Sequence, residues 1–333
     1  MNSRKVALAL SGGGARGMAH VGVINELLSR GYEIHSIAGC SIGSVVGAMY
    51  AMGKLREFAD FILADGAEAV FAHLDFTLSD QGFIKGQKML DRLQEFAPDC
   101  NIEDLPVKLT IVATDMNTGE DVVYDSGSVY RAIRASVAIP AVLTAVHEEG
   151  RWLVDGGVVN PLPLLQLQRS EYDLAVAVNL YASPIFASEI PSQEWDDDDK
   201  QVSVLAHLRE RFSELRSWKS NLVQTILNDP HQKKGYFTTL RLMSELASKR
   251  LAEETVRRYP LDALIEIPIA SCGLFRFDLA DAMIDLGRSR AVAALNSMEQ
   301  QLHDRRSVCQ EQNHTKSTAG KRKFSWLRLL GIR

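Results

Sequence analysis

KVALALSGGGARGMAHVGVINELLSRGYEIHSIAGCSIGSVVGAMYAMG, residues 5–53, is the stretch that decides the fold. Residues 5–10 are apolar after Lys5 and read as a short buried strand. The turn SGGGARG follows. Residues 18–30 then place Val21, Ile24, Leu27 and Leu28 at helical spacing, with Gly31 as the C-terminal stop. Residues 34–38, IHSIA, read as a second strand. The turn GCSIG feeds a helix over 42–52, rich in small residues and ended by Gly53. Strand, glycine turn and helix, twice in succession, open a parallel α/β sheet.

Outward from this stretch, the patterning predicts strands over 107–113, 120–124, 151–154, 174–180 and 264–269. It predicts mainly helix over 54–98, a short helix over 129–135 stopped before Pro140, and helices over 202–228, 236–258 and 278–302. Residues 181–200 hold Pro184, Pro191 and the run WDDDDK at 195–200, and read as a solvated acidic loop. The expected organisation is a domain over 1–304, with a motif-bearing core at 5–180 and a helical part at 201–304. A polar linker over 305–320 and a basic amphipathic tail over 321–333 complete it.

With 46% hydrophobic and 24% charged residues in 333, the chain is neither a disordered protein nor a fibre nor a small disulfide scaffold. The net charge of −5 argues against a general nucleic-acid binder. That total hides a division: the last 22 residues carry +6 and the preceding 311 carry −11. Within the tail, Phe324, Leu327 and Leu330 fall at helical spacing among Lys321, Arg322, Lys323 and Arg328. Such a segment suits peripheral contact with an anionic membrane, or a short helix docked on the acidic body. Near the start, the apolar run VALAL is too short for a secretory signal, and no run approaches the length of a membrane span. Cys40, Cys100, Cys272 and Cys309 form no CxxC pair, so neither a zinc site nor a disulfide framework is expected. The expectation is a soluble cytoplasmic protein without cofactor or metal.

Gly39-Cys40-Ser41-Ile42-Gly43 is a GxSxG between strand and helix, the pattern of a nucleophile elbow. The tight turn lifts the serine hydroxyl clear of the backbone, and Gly39 and Gly43 stand where side chains would clash. A serine capping a helix would read the same way. Gly12-Gly13-Gly14-Ala15-Arg16-Gly17 can cradle an anion with backbone N–H groups. That cradle serves either as an oxyanion hole or, as G-x-G-x-x-G, as a dinucleotide loop with Glu33 as the ribose acid. Glu33 precedes its strand rather than ending it, and Met18 stands where a Walker loop needs Lys. For a base, none of the eight histidines sits in a loop after a late strand, and His147 is the least improbable of them. Asp155, in Asp155-Gly156-Gly157 after a strand, is the alternative if burial raises its pKa; an ordinary Asp-Gly turn is the plain reading.

Taken together, GGGARG, GCSIG and DGG in this order resemble the patatin-like phospholipase family. Residues 135–140, ASVAIP, and 156–163, GGVVNPLP, resemble further family segments. Residues 113–119, ATDMNTG, resemble the bacterial branch related to neuropathy target esterase. The resemblance covers roughly residues 5–180 and implies a three-layer α/β/α fold with a mostly parallel sheet. It implies a Ser41–Asp155 dyad, an oxyanion loop of Gly12, Gly13 and Gly14 shaped by Arg16 and Gly17, and hydrolysis of a phospholipid or lysophospholipid ester through an acyl-enzyme. A non-catalytic lipid-binding regulator on the same fold is the rival.

Overall fold

The computed structural model describes residues 4–72, 76–79, 82–140, 142–170, 173–183 and 236–329, with side chains outside 65–84, 236–241, 306 and 308–329. The opening stretch folds as β1 (Lys5–Leu10), α1 (Met18–Ser29), β2 (Glu33–Cys40) and α2 (Ile42–Ala51). Both helices stop at the predicted glycines. At α1, Gly31 takes φ 74°. Its N–H bonds Leu28 O at 2.9 Å while the Tyr32 N–H bonds Leu27 O at 3.1 Å. Gly53 closes α2 in the same way, with φ 69° and the Lys54 N–H on Met49 O at 2.7 Å. This pairing satisfies carbonyls that the helix end would otherwise leave bare.

After α3 (Leu55–Ala72) come β3 (Phe76–Ser79), β4 (Gly82–Ile84) and α4 (Gln87–Gln94). The mainly helical reading of 54–98 therefore misses a small antiparallel hairpin. Its strands are four and three residues long, too short for a period to show. Next follow β5 (Lys108–Asp115), β6 (Asp121–Tyr124), α5 (Val129–Ser136), β7 (Val146–Glu148), β8 (Arg151–Asp155) and β9 (Leu174–Ala182). The described chain ends with α6 (Tyr236–Arg258), β10 (Ala263–Pro268) and α7 (Ala280–Leu329). The acidic run 195–200 and the helix expected over 202–228 lie outside the described residues.

Eight strands form one sheet in the order β10-β9-β1-β2-β5-β8-β7, with β6 also paired to β5. The run from β10 to β5 is parallel, and β6, β8 and β7 add antiparallel pairs. In β1, Val6–Leu10 are fully buried, as a strand covered on both faces requires. Successive side chains serve opposite layers. Ala7 and Ala9 pack with Ala38, Ala177, Leu164 and Ala252 of α6. Leu10 and Ile37 face α2, where a methyl on Gly47 would stand 2.8 Å from Ile37 Cγ2. The result is a helix–sheet–helix sandwich.

The chain divides into two compact units, Met1–Ala291 and Val292–Arg333. The helix expected to end at 302 runs on to Leu329, through the stretch read as a linker. Residues 303–329 contain no proline, and the single Gly320 costs too little to end the helix there. Among the described residues, no helix is long and apolar enough to cross a membrane.

Candidate active site

β2 delivers Ser41 to the C-terminal edge of the sheet. Ser41 caps α2 with φ 52° and ψ −125°, a strained conformation for a residue with a side chain. Packing enforces it. A methyl on Gly39 would stand 2.7 Å from Gly43 O, and one on Gly43 would stand 2.3 Å from Leu10 O. The Ser41 N–H donates to Ser136 Oγ at 2.9 Å. Its carbonyl accepts from Ser44 Oγ–H at 2.6 Å. The backbone is thus committed on both sides, leaving the hydroxyl as the group free to reach outward.

That hydroxyl reaches Asp155. Ser41 Oγ donates to Asp155 Oδ2 at 2.5 Å. Asp155 Oδ1 accepts from the Gly157 N–H at 2.7 Å and from the Cys40 thiol at 3.8 Å. Strand β5 sets the distance between the two residues, because Cys40 pairs with Val112 on one side and Asp155 with Ala113 on the other. Thr114 Oγ1 donates to Asp155 O at 3.1 Å, and the Asp155 N–H donates to Ala138 O at 2.9 Å. A methyl on Gly156 would stand 2.5 Å from Val112 O, so the turn lies flat against β5. Ser41 and Asp155 are each 6% exposed. Burial disfavours the charged carboxylate and raises its pKa from 3.8 to about 6, against the lowering pull of its three donors.

The glycine loop presses on the same point. A methyl on Gly12 would come within 3.2 Å of Ser41 Cβ, and one on Gly17 within 2.3 Å of Ile42 Cγ1. The Gly12 N–H is committed to Pro161 O at 3.0 Å and the Ala15 N–H to Leu274 O at 2.8 Å. Among the described residues, the N–H groups of Gly13 and Gly14 meet no acceptor. Both residues have positive φ, 151° and 58°. Arg16 supports the loop from behind and is 1% exposed. Its guanidinium donates to Cys272 O at 2.8 Å and Ile269 O at 3.3 Å, and pairs with Glu245 of α6 at 3.4 Å.

No described histidine joins this centre. His147 is exposed on β7, edge-on to Trp152 with ring centroids 5.0 Å apart. His20 is fully buried on Ser11 O at 2.9 Å, and burial lowers its pKa to about 4, so it stays neutral. His35 pairs with Asp173 Oδ2 at 3.1 Å, near the start of β2. Glu33 pairs in register with Lys5, at the opposite end of β1 from the glycine loop. A carboxylate there is a strand length away from a phosphate on that loop, which removes the dinucleotide geometry.

Three residues around the site carried no signal in the sequence: Tyr181, Ser248 and Glu245. The Tyr181 hydroxyl would lie 3.0 Å from a methyl on Gly12. Ser248 Oγ donates to Gly157 O at 3.0 Å. Each reaches the centre only through long-range folding.

A serine on a strained strand–helix turn, beside a glycine loop that follows the neighbouring parallel strand, is the arrangement of a serine hydrolase's nucleophile elbow. Residues 8–167 match the Patatin family, described as patatin-like phospholipase. An uncharacterized NTE family protein of Mycobacterium tuberculosis is 34% identical, over 90% of this chain and 93% of its own. Lysophospholipase NTE1 of Candida glabrata is 30% identical, over 54% of this chain and 11% of its own. Among solved structures, VipD from Legionella pneumophila aligns with 88% of this chain and 67% of its own, at 15% identity and a TM-score of 0.43. The chain belongs to the patatin-like, NTE-related family of lipid hydrolases.

Proposed function

We propose that this chain is a serine acyl hydrolase that cleaves fatty-acyl esters of phospholipids or lysophospholipids with Ser41 as nucleophile and Asp155 as general base. The observation that carries the reading is the 2.5 Å contact from Ser41 Oγ to Asp155 Oδ2 in a buried site. Asp155 takes the Ser41 proton as the oxygen attacks the ester carbonyl. The N–H groups of Gly13 and Gly14 receive the developing oxyanion, since that of Gly12 is already bonded. The alcohol leaves with the proton held on Asp155, giving an acyl-Ser41 ester. Water, deprotonated by Asp155, then attacks that ester and releases the fatty acid. A carboxyl with pKa near 6 is ionised at neutral pH, yet basic enough to accept a proton.

The test pairs a fluorophosphonate probe with a lipid release assay. Wild type labels and releases fatty acid from a mixed phospholipid and lysophospholipid panel; Ser41→Ala does neither. Equal labelling of both would remove Ser41 as nucleophile. Labelling without release from any lipid would favour the regulator.

The basic tail is proposed as a second contact, with anionic lipid. The backbone is helical through Leu329, in keeping with an amphipathic segment. A chain ending at Gln310 should lose sedimentation with anionic vesicles while keeping turnover of a soluble ester. Undiminished sedimentation would assign the contact elsewhere.

A further inference from the structure

We infer that Ser248 and Glu245 of α6 are positioning residues that hold the two halves of the catalytic centre in register. This rests on the proposed Ser41–Asp155 chemistry. Residues 245 and 248 are one helical step of three apart, hence on one face of α6. Ser248 grips the turn that carries the base: its Oγ donates to Gly157 O at 3.0 Å. The N–H of that same Gly157 donates to Asp155 Oδ1 at 2.7 Å. Glu245 grips the glycine loop through Arg16, at 3.4 Å. Ala252, one turn further along this face, is fully buried against β1, β2 and β9, so the grip has a fixed base.

Both contacts are enclosed. Ser248 is 5% exposed. The Arg16 and Glu245 side chains are 2% and 13% exposed. In such surroundings a missing hydrogen-bond partner is costly and its removal shifts geometry. Neither residue touches Ser41, and both lie beyond residues 8–167, the span that matches the family. A helix outside the motifs thus joins the base to the loop that would receive the oxyanion. Its loss should lower kcat while leaving substrate binding in place.

The titration of Asp155 gives an independent readout. Gly157 N–H, Ser41 Oγ–H and the Cys40 thiol lower its pKa, and burial raises it. The other ionisable groups around the site are Tyr181 from β9, which Asp155, Cys40 and Arg16 influence and to which the Ser248 hydroxyl also hydrogen-bonds, and Asp121 from β6, which acts on Cys40. Loosening Gly157 weakens one lowering contact, so the acid limb of kcat/KM should move to higher pH.

The experiment uses the full chain and a soluble p-nitrophenyl ester. Ser248→Ala should lower kcat about tenfold, the kinetic equivalent of one misplaced hydrogen bond, with KM nearly unchanged. Its acid limb should move up in pH, Ser248→Thr should restore both, and Ser244→Ala, at an exposed position one turn earlier, should match wild type. Wild-type kcat and acid limb in a folded Ser248→Ala would overturn the inference, as would a folded Ser248→Thr that restores neither. Should Ser248→Ala not fold, Glu245→Gln reads the other contact: slower fluorophosphonate labelling of Ser41 supports the inference, and unchanged labelling overturns it. A wild type with no turnover and no Ser41-dependent labelling would instead overturn the proposed function.

Discussion

Two residues other than glycine adopt positive φ among those described, Ser41 at 52° and Glu149 at 51°. Glu149 sits with Gly150, at φ 78°, in the two-residue turn between β7 and β8. That turn suits the twist of a hairpin, and an asparagine there would strain less. It is exposed, bordered by Arg151 and Arg131 in solvent-screened pairs. At Ser41 nearly the same φ is imposed by Leu10, Gly43 and the start of α2, and the side chain is buried against a carboxylate. The hairpin uses the conformation to reverse direction, and a relaxed alternative would serve as well. The elbow uses it to aim an oxygen, and relaxation there forfeits the aim. Backbone strain marks a functional residue only when the surroundings hold it in place.

The strongest way to sharpen this contrast is Asp155→Asn. The carboxyl titrates at 3.8 in its ordinary state and at about 6 when folded. A raised folded value contributes stability that is fully present below 3.8 and lost as pH rises through 6. At pH 8 the wild type therefore lacks about 3 kcal/mol that a neutral side chain would retain. Asp155→Asn should abolish ester turnover yet melt higher at pH 8, with the gap closing toward pH 4. Calorimetry at both pH values checks the sign, and a lower melting temperature at pH 8 would break the account. A smaller effect separates strain from chemistry: Ser41→Gly should be about 1 kcal/mol more stable than Ser41→Ala, because glycine accepts the positive φ. Equal stability would mean that the elbow carries no strain. The smallest effect lies at the other turn. Glu149→Asn should stabilise by about 0.5 kcal/mol and leave turnover unchanged. Loss of activity there would erase the distinction between the two sites.

Where neighbours in sequence are neighbours in space, the residues could be read directly. Gly31 and Gly53 mark their helix ends, and GCSIG marks the strand–helix turn, because each depends on a few adjacent dihedrals. Asp155 is legible as a carboxylate in a DGG turn after a strand, but its burial is not, and its pairing with Ser41, 114 residues away, follows only from the family resemblance. The short strand β7 escaped because three residues show no alternation, and Glu-Gly is a weak hairpin signal beside Asn-Gly. Ser248 and Glu245 were illegible for a different reason. They stand in a helix whose sequence marks no special face, and their roles arise from contacts spanning 91 and 229 residues. The helix running past 302 reflects the weakness of polarity as a stop signal: without proline a polar stretch continues, and the lone Gly320 does not end it.

The bonds from Arg16 to Ile269 and Cys272 also set an order of events during synthesis. They join positions 253 and 256 apart, and Leu274 closes on the same loop. A nascent chain carries its serine and glycines early, but the loop has no back wall until β10 and the segment after it leave the ribosome. At about 5–20 residues per second, that leaves tens of seconds in which the motifs exist without their frame. A chain halted before residue 260 should hold Ser41 and Asp155 yet fail to react with a fluorophosphonate. Reactivity at Ser41 would then begin only once β10 and the segment after it have been made and have closed on the loop.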